Sequence, residues 1–142
     1  MSSTSDLITW SIAQLRGVGL NPYLSVAPQN TSTTTVAFPI VVLNVLSSNS
    51  NYSLNNGELR YERYNINVSI FDNQGNMDRS MVTLDNIQKC LEGKHDITIG
   101  NSIIMGTFLS SQNGPLWLNK EHYWALYSSW DVIISNKTLG KH

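Results

Sequence analysis

The sequence predicts an α+β fold: a mostly antiparallel sheet with two helices packed on one side. The main observation is a change of apolar period between residues 64 and 91. Up to Ile70, apolar residues alternate with Asn and Ser, as in a strand with one dry and one wet face. After a turn at residues 72–75, the apolar spacing is near 3.6, as in a helix with one apolar side. Together the two patterns indicate a sheet that is covered on a single face.

The first helix is predicted for residues 6–16. Ser5 suits the N-cap position, and Asp6 suits the positive end of the helix dipole. Its buried side is predicted to consist of Ile8, Ile12 and Leu15. A pair of glycines ends it, and a short edge strand is predicted for residues 23–27.

Two longer strands are predicted next. Residues 36–46 are apolar on both faces, which favours a central strand with Pro39 at its start or at a bulge. Residues 47–57 are rich in Asn and Ser and are predicted to form a long loop. Residues 59–72 are predicted to form the strand with one dry and one wet face, antiparallel to the central strand.

The second helix is predicted for residues 77–92, with Asn76 as its N-cap. Its apolar side is predicted to consist of Met77, Met81, Leu84, Ile87 and Leu91. A hairpin of residues 97–99 and 103–109 follows, turning at Gly100 and Asn101.

A further break is predicted at Gly114 and Pro115. The last strand is predicted for residues 123–135. One face of it carries Trp124, Leu126, Trp130, Val132 and Ile134.

Composition indicates one domain, residues 1–136, followed by a polar C-terminal tail, residues 137–142. The net charge of −1 argues against a nucleic-acid clamp, which needs a basic surface. Cys90 is the single cysteine, so no disulfide can form within the chain, and its place beside the apolar side of the second helix predicts a buried, reduced thiol. The sequence shows no signal peptide and no apolar run long enough for a membrane span, so synthesis inside the cell is expected.

No catalytic motif is evident, and the three histidines have no metal-ligand spacing. The chain is therefore predicted not to be an enzyme and to hold no metal or cofactor. Asp72 and Asp78 flank the strand-to-helix turn and are interpreted as turn and helix-capping residues. Asp131 is predicted to pair across the sheet with Arg60 or Arg63.

The candidate interface residues come from the Asn/Ser-rich segment, the mixed charge cluster and the segment after Pro115. They are Tyr52, Asn55, Asn56, Arg60, Arg63, Leu116, Trp117 and Leu118. Trp117 has two interpretations: an exposed anchor of the kind enriched at interfaces, or a ring folded back on the end of the core.

The order and texture of these elements resemble the tail terminator (tail completion) proteins of long-tailed bacteriophages. The resemblance rests on residues 38–42 and 64–72, the crossing helix, the closing hairpin and the strand 123–135. It implies a virion structural protein of the neck region, made in the host bacterial cytoplasm. Such a protein forms a ring, usually a hexamer, that caps the tail tube and joins it to the neck and head–tail connector. DNA passes through the lumen without specific binding, and neither a cofactor nor a membrane is implied.

Three alternatives remain open from the sequence. One is a different neck protein, and another is a general interaction module. The third is a small-ligand-binding or hydrolytic domain whose pocket would be lined by Trp10, Phe38, Tyr64, Trp124 and Trp130.

Overall fold

The chain forms two helices and one six-stranded, mostly antiparallel sheet, which confirms the predicted α+β class. The computed structural model describes residues 3–24, 39–54, 59–73, 77–120 and 122–136. For residues 3, 47–54, 59, 60 and 136 it describes the backbone alone. The predicted polar tail, residues 137–142, lies outside these ranges.

The elements in chain order are α1 (Ser3–Gly17), β1 (Tyr23–Leu24), β2 (Ile40–Leu54), β3 (Leu59–Asp72), α2 (Asp78–Leu91), β4 (Ile97–Ile99), β5 (Ser102–Leu118) and β6 (Tyr123–Asn136). The strand order across the sheet is β1-β2-β3-β6-β5-β4. β1 is parallel to β2, and every other pairing in the described sheet is antiparallel.

β3 has the two faces that its alternation predicts, and its bounds match the prediction. Its four core-facing residues before Asp72 are almost completely buried: Tyr64, Ile66, Val68 and Ile70. The Asn and Ser residues between them are partly exposed. Because both helices pack on this side, the period of two places the main core on one face of the sheet. A small second cluster lies on the other face, where Ile40 and Val42 are buried beside Phe71.

α2 presents a mixed apolar and small polar side to this core. Its buried residues are Ser80, Thr83, Leu84, Ile87, Cys90 and Leu91. Met81 is partly buried, but Met77 is 44% exposed and takes the N-cap position predicted for Asn76. Met77 makes no capping hydrogen bond with its side chain, so the predicted N-cap residue and the predicted burial of Met77 are wrong.

α1 begins at Ser3, so Ser5 lies within the helix and is not its N-cap. Its fully buried residues are Leu7, Ser11 and Leu15, while Ile8 and Ile12 are only half-buried. The Ser11 hydroxyl donates to the Leu7 carbonyl at 2.7 Å, so the buried polar group is satisfied. Leu15 is buried as predicted, whereas Leu7 and Ser11 take the places that were predicted for Ile8 and Ile12.

β2 continues into the segment that was predicted to be a loop. Residues 47–54 are strand, and Asn51–Leu54 pair with Glu62–Leu59 of β3. Backbone pairing with a long neighbour stabilises strand structure in a sequence of low β propensity. The loop prediction is thus wrong for 47–54, while 55–58 lie outside the described residues.

β5 runs through Gly114 and Pro115, where a break was predicted. The β5–β6 register shifts between Asn113 and Leu116, and this bulge accommodates both residues within the strand. Gly114 has φ +101, and a Cβ there would lie 2.7 Å from the Ala125 carbonyl oxygen. Glycine is therefore required at this bulge. The predicted turn at Gly100 and Asn101 is confirmed.

Thr107 of β5 fixes the C-terminal end of α2 to the sheet. Its buried hydroxyl donates to the Leu91 carbonyl and accepts from the Lys94 N–H at 2.8 Å. Its own carbonyl accepts from the Gly93 N–H at 3.2 Å. These bonds satisfy the Leu91 carbonyl, which the helix end leaves open, and the N–H groups of two residues that follow the helix.

Candidate functional site on the open face of the sheet

The side of the sheet opposite the helices is called the open face here. In the described part of the chain, both helices pack on the other side. The strand registers place on this face Asn44 and Leu46 of β2; Arg63, Asn65, Asn67, Ser69 and Phe71 of β3; Tyr123, Tyr127, Ser129 and Asp131 of β6; and Phe108, Ser111, Asn113 and Leu116 of β5.

The middle of the open face is a shallow groove of about 320 Å³ with a neutral, polar lining. Its walls consist of Asn44, Asn67, Ser69, Ser111, Asn113, Tyr127, Ser128 and Ser129. Amides and hydroxyls both donate and accept hydrogen bonds. The groove can therefore contact polar groups of either kind without strong attraction for a charge.

A hydrogen-bonded network balances the charge beside this groove. Arg63 Nη2 donates to Asp131 Oδ2 at 2.5 Å, and Asn65 Nδ2 donates to Asp131 Oδ1 at 3.1 Å. The Ser129 hydroxyl donates to Asn65 Oδ1 at 2.9 Å. The predicted pairing of Asp131 with Arg63 is confirmed, and it links β3 to β6. The side chain of Arg60 lies outside the described residues.

One end of the open face is aromatic. The ring of Phe71 makes edge contacts with Tyr123 at 5.6 Å and with Tyr127 at 6.0 Å between centroids. Leu116 lies in the same region and is 50% exposed. Exposed apolar and aromatic residues beside a polar groove are typical of a protein interface.

Trp117 satisfies parts of both predicted interpretations. Its ring meets Trp124 edge-to-face at 5.3 Å between centroids, yet 42% of the residue is exposed. Leu118 is half-buried beside it. The side chains of Tyr52, Asn55 and Asn56 lie outside the described residues. The interface role of all these residues stays a prediction.

A buried ion pair at the end of β3 was not foreseen from the sequence. Asp72 is completely buried, and Arg79 of α2 donates to both of its carboxylate oxygens, from Nε to Oδ2 at 2.6 Å and from Nη2 to Oδ1. The hydrogen bond to Asp72 raises the pKa of Arg79. Asp72 therefore fixes α2 to the sheet, a role that the turn-and-capping interpretation did not include. The signal was an Arg in the first turn of the helix that follows an acidic strand end.

The aromatic residues of the pocket hypothesis lie at different places in the described structure. Trp130 and Tyr64 are core residues, Trp10 packs against that core, and Trp124 contacts Trp117. Phe38 lies outside the described ranges.

Neither a metal-ligand cluster nor a membrane-spanning helix is present in the described part of the chain. No group of three or more His, Cys, Asp or Glu residues there is placed to hold a metal ion. Neither of the two described helices is long and apolar enough to cross a membrane.

Cys90 is buried in α2, as predicted, and its Sγ lies 3.2 Å from the Ile87 carbonyl oxygen. Burial raises the pKa of this thiol from 9.0 to about 11.

We expect iodoacetamide to modify the Cys90 thiol of the unfolded chain with a midpoint near pH 9, whereas the thiol of the folded protein reacts only near pH 11. The stability contributed by the neutral thiol is complete below pH 9 and is lost as the pH rises through 11. Rapid labelling of folded protein at pH 8 would contradict this.

A chain from a solved structure, "Virion of native gene transfer agent (GTA) particle", has the same fold. The TM-score is 0.74 at 14% sequence identity, over 96% of this chain and 100% of the other. No family model and no curated protein matches the sequence. At this identity the likeness establishes a shared fold alone.

Proposed function

We propose that the chain is a virion structural protein, a tail terminator whose copies form a hexameric ring. The ring caps the tail tube and joins it to the neck and head–tail connector proteins. The observation that carries the proposal is the fold shared with a chain of a gene transfer agent virion. Because the likeness covers 96% and 100% of the two chains, it extends over the fold as a whole and is not limited to a shared motif.

The open face supports a role in assembly. It has a polar groove in its middle, an ion pair between Arg63 and Asp131 beside the groove, and an exposed Leu116 at its aromatic end. A small one-sided domain buries further surface when identical copies associate around a closed ring. This protein would act by contact between surfaces, without a cofactor or a membrane.

The charge of the chain suits passage of DNA through such a ring. With a net charge of −1, the protein lacks the excess of Lys and Arg that binds phosphate backbones. DNA would therefore pass through the lumen without being held. The chain would be made in the host bacterial cytoplasm and would be located in the tail and neck of the virion.

A different neck protein is the second candidate. The similar chain comes from a whole virion particle, and several components of one particle can share a fold. A neck ring would share the fold and the ring form, but it would not stop the growth of the tail tube.

The test is to add the purified protein to the polymerising tail tube protein of the same genome. We expect rings of about six times 15.9 kDa by mass photometry, and tubes that stop growing when the rings bind their ends. Trp117→Ala should weaken both effects, because 42% of this residue is exposed for contact with other chains. The melting temperature should also fall, because the ring loses its contact with Trp124. Rings without an effect on tubes would indicate the neck protein. Isolated single chains that leave the tubes unaffected, or turnover of a metabolite, would contradict the proposal.

A further inference from the structure

The outer sides of the two long edge-proximal strands are only partly paired. β1 pairs with β2 at Val42 and Leu43, and β4 pairs with β5 from Ser102 to Ile104. In the described residues, no strand pairs with the outer side of β2 at 44–54, called the β2 edge, or of β5 at 108–113, called the β5 edge. Such edges present backbone N–H and C=O groups to any further strand.

The distribution of charge does not protect these edges from pairing with another molecule. Strands β2 and β5, of 15 and 17 residues, contain no Asp, Glu, Lys or Arg. The charged residues of the described sheet lie in the inner strands β3 and β6, at Arg60, Glu62, Arg63, Asp72 and Asp131. Monomeric proteins commonly place charges on edge strands to prevent pairing between molecules. The reverse arrangement here favours such pairing.

Each edge also carries an exposed apolar side chain on the open face. Leu46 on the β2 edge is 55% exposed, and Phe108 on the β5 edge is 57% exposed. The register places both in one row across the sheet, joined through Asn65 and Asp131. Two apolar groups at opposite ends of one row would bury each other if sheets met side by side.

Strand direction makes the two edges compatible. β2, β3, β6 and β5 are successively antiparallel, so β5 runs opposite to β2. When the β5 edge of one copy meets the β2 edge of the next, the antiparallel alternation continues. A contact between two different edges is head-to-tail, and it closes into a ring when the rotation between copies allows.

We infer that neighbouring copies join by antiparallel pairing of the β5 edge of one with the β2 edge of the next. This rests on the proposed ring and specifies the contact that forms it. The sheets then become one continuous sheet around the ring, with Phe108 of each copy on the same face as Leu46 of its neighbour and close to it along the strands. The stagger between strands that closure requires shifts this pair along the strands by a few residues.

Cross-linking of engineered cysteines tests the inference. The double variant Leu46→Cys/Phe108→Cys is treated with a short flexible bismaleimide at neutral pH, where the buried Cys90 does not react. We expect a ladder of covalent multimers, up to six chains, on a denaturing gel. The matched control Val82→Cys/Phe108→Cys should stay largely single, because Val82 is 58% exposed but lies on α2.

The outcomes separate the inference from the proposed function. Rings in negative stain without a ladder would overturn the edge contact and leave the ring intact. Dimers from Phe108→Cys alone would show that two β5 edges meet, which also overturns the inference. If the protein forms no rings and gives no ladder, both proposals are wrong.

Discussion

Arg79→Ala is expected to lower the free energy of unfolding by about 2–4 kcal/mol. The substitution removes the guanidinium that holds both carboxylate oxygens of Asp72, which has no solvent exposure. A buried carboxylate that loses its cationic partner is strongly destabilising. Since the Arg79 side chain is itself 41% exposed, the loss is expected near or below the lower end of the range of about 3–5 kcal/mol for broken buried pairs. Urea unfolding followed by tryptophan fluorescence measures the change.

The matched control for this experiment is Arg16→Ala. Arg16 is exposed in the last turn of α1, so its loss should change the free energy of unfolding by less than about 0.5 kcal/mol. If both variants unfold at the same urea concentration, the Asp72–Arg79 pair does not fix α2 to the sheet.

Ile66→Ala is expected to lower the free energy of unfolding by about 3 kcal/mol. Ile66 is fully buried between the sheet and the helices, and its truncation leaves a cavity in the core. Its neighbour Asn67 lies on the open face, where Asn67→Ala should change the stability of the isolated chain by less than about 0.5 kcal/mol. Urea unfolding at low protein concentration measures both without a contribution from assembly.

The difference between the two variants tests the one-sided sheet. Equal losses at Ile66 and Asn67 would mean that the open face is also covered within a single chain. The surface on which the proposed assembly depends would then not be available.

Local patterns predicted the elements whose structure depends on near neighbours in the sequence. The alternation at residues 64–70 predicted both the bounds and the buried face of β3. The apolar spacing after it predicted α2, and Gly100 predicted the β4–β5 turn. These patterns work because successive side chains point to fixed sides of a strand or helix.

Longer-range contacts overruled the local patterns elsewhere. Residues 47–54 are rich in Asn and Ser but are strand, because β3 supplies their partners. Gly114 and Pro115 stay within β5, because a bulge against β6 accommodates them. No pattern in the flanking residues shows that these partners exist.

The candidate site likewise contains one contact that the sequence predicted and one that it did not. The pairing of Asp131 with Arg63 could be predicted, since opposite charges on two predicted strands suggest a contact between them. Arg79 as the partner of Asp72 was missed, since it depends on how α2 crosses the end of β3.

By itself, the sequence determined that this protein has a strand with one dry and one wet face, helices with one apolar side and a buried thiol. Each of these follows from residues close together in the chain. The tertiary structure alone decided the strand order β1-β2-β3-β6-β5-β4 and hence which edges remain unpaired among the described residues. It also decided that Asp72 is buried against Arg79. The physical reason is that sheet pairing joins residues as far apart as Asn65 and Asp131. The free energy of such contacts depends on surfaces that exist only after the chain has folded.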